Sequence, residues 1–236
     1  MNIDVGESLC ASWLKRCKGC FVVQTNWRML NSCINSDDEI KGIVEGVEVL
    51  LRDRCSVALK RTKTGKFVYW DVECDVLGLS LPRNQDPPMP YAVEIACHLR
   101  GKGLHYSAYD KNQGKKMNVS VPKVCSKMLK IALSIYGITG LKRGTFIFVS
   151  PFVSCDIKDA ILECFKTMEE GLREHDFDTH FVFYGNDDFY TKIEQPALKA
   201  ARKGRSIMAD ELYLRSVEIH DFMNAGNEAI CGRKKF

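Results

Sequence analysis

Acidic residues set into apolar runs are the first groups in this chain that could do chemistry. Residues 70–81 read Trp-Asp-Val-Glu-Cys-Asp-Val-Leu-Gly-Leu-Ser-Leu, and residues 91–98 read Tyr-Ala-Val-Glu-Ile-Ala-Cys-His. A polar, proline-rich stretch separates them, so the two runs read as a β-hairpin. Side chains alternate between the faces of a strand. Asp71, Glu73 and Asp75 therefore share one side, opposite Val72, Cys74 and Val76. In the second run Glu94, Ala96 and His98 share a side, opposite Val93, Ile95 and Cys97. Pairing the runs brings Asp75 and Glu94 together. Carboxylates among apolar side chains are costly to bury unless something compensates, and a divalent cation would. The pair is therefore a candidate metal site on a hairpin. Asp71 or Glu73 alone reads more simply, as one acid on a solvated strand face.

The elements that must hold this hairpin follow from periodicity. Leu9, Trp13 and Cys17 fall at helical spacing, so residues 5–17 read as a helix, with Glu7 in the first turn, where a carboxylate suits the helix dipole. Residues 21–27 read as a short strand. Ser36 with Glu39 forms a capping-box pattern that opens a helix to about Leu51. The stretch 52–66 is basic and has two meanings: a contact for a phosphate backbone, or a solvated hairpin. Residues 99–118 show no clear period and read as a mobile loop. That loop carries Lys102, Lys115 and Lys116 with His105, Tyr106 and Tyr109 interleaved, a mixture suited to phosphates and stacked bases.

A strongly apolar helix is predicted from Ser120 to Gly137, with Lys123, Lys127 and Lys130 on one face. Then come a strand at 145–149, a helix at 156–174, a strand at 179–184, a helix from 187 toward 201, and a last helix at 210–223. This order predicts an α/β fold with a mixed central sheet flanked by helices.

Composition narrows the function classes. The chain has 236 residues, 45% of them hydrophobic, and a formal net charge of +4. One domain over residues 1–236 is the expectation. A mildly basic balance permits a polyanionic partner without demanding one. Eleven scattered cysteines, several within apolar runs, read as reduced core thiols of a cytoplasmic protein. Cys17 and Cys20 form a lone C-x-x-C pair, without the second pair a zinc site needs. No run of about 18 apolar residues predicts a membrane span. Neither a Gly-x-Ser-x-Gly elbow nor a phosphate-binding G-x-x-x-x-G-K-S/T loop occurs, which argues against a serine hydrolase or an NTPase.

The arrangement Glu73-Cys-Asp75-Val-Leu-Gly, a hairpin, then Tyr91-Ala-Val-Glu94-Ile-Ala96 resembles the core of the PD-(D/E)xK, or restriction-endonuclease-like, nucleases. Within that superfamily the chain is similar to a bacterial group with Ser-Trp-Leu and Gln-Thr-Asn-Trp patterns, matched here by Ser12-Trp13-Leu14 and Gln24-Thr25-Asn26-Trp27. The resemblance implies a metal-dependent nuclease. Asp75 and Glu94 would hold Mg²⁺ (or Mn²⁺), the backbone carbonyl of Ile95 would complete the protein's share of the shell, and Glu7 would be an outer-shell or second-metal ligand. Lys102, Lys115, Lys116, Lys123 and Lys130 would meet the phosphate backbone of nucleic acid, with DNA the first expectation, and cutting two strands would suit a homodimer. The family's lysine, two positions after the Glu, is Ala96 here. Lys127 is the leading substitute, with Lys123, Lys130 and His98 behind it. A non-catalytic nucleic-acid-binding or protein-interaction domain on the same fold is the alternative.

Overall fold

The computed structural model describes residues 5–28, 37–61, 72–81, 88–96, 109–110, 115–116, 120–150, 153 and 155–203. Elements run α1 (Val5–Cys17), β1 (Cys20–Arg28), α2 (Asp37–Cys55), β2 (Glu73–Ser80), β3 (Met89–Ile95), β4 (Tyr109–Asp110), β5 (Lys115–Lys116), α3 (Ser120–Thr139), β6 (Arg143–Ser150), α4 (Cys155–Arg173) and β7 (Asp178–Gly185). A single turn, α5 (Asp187–Phe189), leads through a π-helical turn at Tyr190–Glu194 into α6 (Gln195–Lys203). Within the stretch expected to be a loop without regular structure, β4 and β5 form a small antiparallel pair.

Five strands form one mixed sheet in the order β1-β2-β3-β6-β7. β1, β2 and β3 pair antiparallel, while β3, β6 and β7 pair parallel. Parallel neighbours need crossovers, and α3 and α4 supply them. The chain is thus α/β, with a mixed sheet and helices on both faces. The alternation is clean along β6. Phe146 and Phe148 join the larger core with α2, α3 and α4, whereas Ile147 and Val149 join a smaller core with Leu9, Trp13 and Leu14 of α1 and Ala197 of α6. A strand buried on both faces reads as a continuous apolar run, as residues 145–149 do.

Helix α3 is apolar nearly all round, which marks a helix buried within a domain. Val124, Met128, Leu129, Ile131, Leu133 and Ile135 are all buried, and each large side chain contributes about 1.5–3 kcal/mol. Lys123, Lys127 and Lys130 are the only charged residues on it. At spacings of four and three they share one stripe. Core packing therefore fixes how far that stripe is rotated, and hence where its lysines point.

Strand β2 departs from simple alternation near its start. Cys74 packs in the larger core, whereas Val76, two residues on, packs in the smaller one. The Cys74 thiol donates to the carbonyl of Val76 at 3.3 Å. Across the ladder, between the pairs Thr25↔Val76 and Trp27↔Cys74, stands Asn26, whose φ is 52°. A left-handed residue interrupts the pleat, and asparagine tolerates that conformation better than most.

Candidate active site at the end of β2 and β3

The β2–β3 ladder ends toward α3 at the pair Val76↔Val93. Asp75 and Glu94 are the next residues on the two strands. Beyond this point the backbone N–H of Ile95 turns to a side chain and donates to Asp75 Oδ2 at 2.6 Å. One acid thus closes the frayed end of the ladder. Two residues after the other, Glu94, comes Ala96, whose N–H donates to Val149 O at 2.8 Å and whose carbonyl accepts from Ser150 Oγ at 3.4 Å. β6 therefore holds the chain on both sides of Ala96, and Glu94 keeps a fixed place two residues upstream.

Lys127 reaches this acid from α3, with Nζ 3.3 Å from Glu94 Oε1. The second oxygen, Glu94 Oε2, is buried and has no hydrogen-bond partner among the described residues. Burial is the main reason the Glu94 carboxyl is held up to about 7. The Asp75 charge raises it further, Lys127 pulls it down, and Glu73 adds a smaller rise. Burial also pushes the neighbouring Cys74 thiol up, and the two carboxylates reinforce that, so this sulfur stays protonated and unreactive.

The structure thus brings together Asp75, Glu94 and Lys127. Ile95 takes part through its N–H, which supports Asp75. Glu7 is one strand further away, where its Oε2 accepts from Asn26 Nδ2 at 2.9 Å. Because Asn26 faces Asp75 across the β1–β2 ladder, Glu7 adjoins the site through a neighbour. Lys123 is exposed, and Lys130 is half-buried with its ammonium shifted down, first by burial and then by Lys127. The side chains of Lys115 and Lys116, together with Lys102, His98, Asp71, residues 62–66 and the helix expected at 210–223, lie outside the described residues.

Two of these features had no clear signal in the residue pattern. Asn26 is one; only its residue type, one that accepts positive φ, pointed to it. Ser150, which braces Ala96, is the other.

The donor set suits a hard cation. Two oxygen-bearing acids lie close enough for one charge to disturb the other, and one carboxylate oxygen is buried with nothing to bond. A divalent ion with a preference for oxygen ligands would relieve both conditions. Among the described residues no group of three or more His, Cys, Asp and Glu side chains converges, so this two-acid pair is the arrangement to consider. No protein-family profile, curated protein or solved structure matches the chain.

Proposed function

We propose that the chain is a metal-dependent phosphodiesterase acting on nucleic acid, with a restriction-endonuclease-like site in which Asp75 and Glu94 hold Mg²⁺ or Mn²⁺. The observation that carries this reading is the meeting of three groups: Asp75, Glu94 with its buried unpartnered oxygen, and Lys127 at 3.3 Å. When bound, the ion supplies a more acidic water and a counter-charge for the phosphate. Asp75 keeps its orientation through the Ile95 N–H. Glu94 would have to be deprotonated to hold the ion, so metal uptake would strengthen as pH rises through about 7. Lys127 presents an ammonium where negative charge grows during cleavage, the position the family's strand lysine would serve.

The test is cleavage of plasmid, single-stranded DNA and RNA with Mg²⁺ or Mn²⁺. Asp75→Ala and Glu94→Ala should each lower the rate at least about 10²-fold, and Lys127→Ala by about 10²–10³-fold. Activity that survives both acid substitutions removes the site. Full activity in Lys127→Ala removes the lysine's role alone.

One observation favours a second reading, a nucleic-acid-binding module that does not cut. Position 96 carries Ala, and Lys127 is already engaged with Glu94 at 3.3 Å. On that reading polynucleotide binding is indifferent to divalent ions, and nicking is absent under every condition.

A further inference from the structure

Residues 52–61 carry Arg52, Arg54, Lys60 and Arg61. Three of the four have structural partners. Arg52 and Arg61 both pair with Glu48, whose side chain is only 5% exposed, and Arg54 pairs with Glu170 of α4. These arginines hold α2, α4 and the chain after α2 together through the two carboxylates.

Lys60 differs. Its backbone N–H donates to Ser126 Oγ of α3 at 2.7 Å, while Val57 and Leu59 on either side of Ala58 are buried in the larger core. The segment is thereby laid alongside α3 next to the lysine stripe. The Lys60 side chain is exposed, and so is that of Lys123. Neither pairs with a carboxylate among the described residues. The two ammonium groups feel each other, since Lys123 adds to burial in shifting Lys60 down. Two like charges held together by a main-chain bond and a buried helix call for an anion between them. Four residues along α3, about 6 Å from Lys123, comes Lys127 at Glu94. A nucleic-acid strand advances about 3.4 Å per nucleotide, so this spacing spans one to two nucleotides.

We infer that Lys60 and Lys123 form a flanking-phosphate site that grips the nucleic-acid backbone one or two nucleotides from the phosphate at Glu94 and Lys127. The substrate class is then a polynucleotide strand, bound through at least two phosphates, and a lone phosphodiester fills only half of the contact. The inference rests on the proposed function for which phosphate is cut, and on charge complementarity for whether the strand binds. Sequence is not read at this site, because phosphate contacts position a strand without identifying its bases.

The experiment measures fluorescence anisotropy of labelled single-stranded DNA, duplex DNA and RNA oligonucleotides against salt, with Ca²⁺ in place of Mg²⁺. Wild type is compared with Lys60→Gln/Lys123→Gln and with a charge-matched control, Lys166→Gln/Lys199→Gln, whose lysines are exposed on α4 and α6. The first pair should weaken binding on the order of tenfold and flatten the slope of log affinity against log salt by about 1.4–1.8. The control pair should leave the slope unchanged. With Mg²⁺, hydrolysis of bis-p-nitrophenyl phosphate should be the same in the Lys166→Gln/Lys199→Gln control and wild type. An unchanged slope in the first pair, or an equal loss in the control, would overturn the site. Binding that depends on Lys60 and Lys123 without any cleavage sinks the catalytic reading and leaves this one standing. Cleavage of the small diester with no salt-dependent strand binding does the reverse.

Discussion

Glu94 is the residue on which most consequences turn. Its carboxyl, ordinarily near 4.5, is raised to about 7 by burial and by Asp75, with Glu73 of the same strand adding to it and Lys127 of α3 opposing. Between those two values the folded protein keeps a proton that the unfolded chain releases, so stability falls as pH rises across that window. The full difference is about 3 kcal/mol and is complete above pH 7. Glu94→Gln removes the titration. Urea unfolding should show the variant gaining about 3 kcal/mol on wild type between about pH 4 and pH 8.5, and parallel profiles would show that Glu94 titrates normally. Lys127→Ala should move the lower-stability limb to higher pH, because the cation that opposes the shift among the described residues is gone. The nomination of Asp75 and Glu94 was legible because each is an acid inside an apolar run. Lys127 was nominated through the resemblance, whose strand lysine is Ala96 here and whose substitute would come from the helix that follows. The role of Lys60 was hidden: in sequence it is one basic residue of six between positions 52 and 66, and only the pairing of its neighbours with Glu48 and Glu170 separates it from them.

At the scale of elements, hydrophobic period gave most of the boundaries within a residue or two. The helix expected at 156–174 spans Cys155–Arg173, and the strand expected at 179–184 spans Asp178–Gly185. Two irregularities escaped it. The continuous helix expected after Asp187 is a short turn, a π-helical turn and then α6, with Ile193 and Ala197 buried in the smaller core. Such a register change follows from packing against α1, and the 3.6-residue period carries no trace of it. Likewise Cys74 was expected on the side of Val76 and lies in the other core, because period-two reasoning assumes a regular pleat and Asn26 interrupts one. Elements approach one another closely at Gly78 of β2. A Cβ there would stand 2.9 Å from Cys20 Sγ and 3.0 Å from Leu14 Cδ1, so α1 and β1 pack directly onto the bare backbone. Gly78→Ala should cost about 1–3 kcal/mol in urea unfolding. A neutral result would mean that Cys20 and Leu14 move aside freely.

For the molecule as a whole, alternating helices and strands foretold an α/β fold with a mixed sheet, and the described residues have it. No described helix is long and apolar enough to cross a membrane. The order of strands was out of reach, because pairing joins residues far apart in the chain: Ala92 lies against Phe146 and Phe146 against Phe181. If Asp75 and Glu94 hold a cation, saturating Mg²⁺ or Mn²⁺ must favour the folded state. At about 100 times Kd the gain is about 2.7 kcal/mol, or roughly 5–10 °C in Tm for a chain of this size. Calorimetry should find that rise in wild type and not in Glu94→Gln. Equal responses would place the cation elsewhere. A strand-borne lysine would keep its distance to Glu94 through covalent geometry, but Lys127 keeps it through a noncovalent joint, the seating of α3 on the sheet. Warming loosens such a joint before it melts the whole, so if the proposed site cleaves phosphodiesters, its rate should fade several degrees below the calorimetric transition, and cavity-forming changes on the buried face of α3, such as Met128→Ala, should lower that onset further.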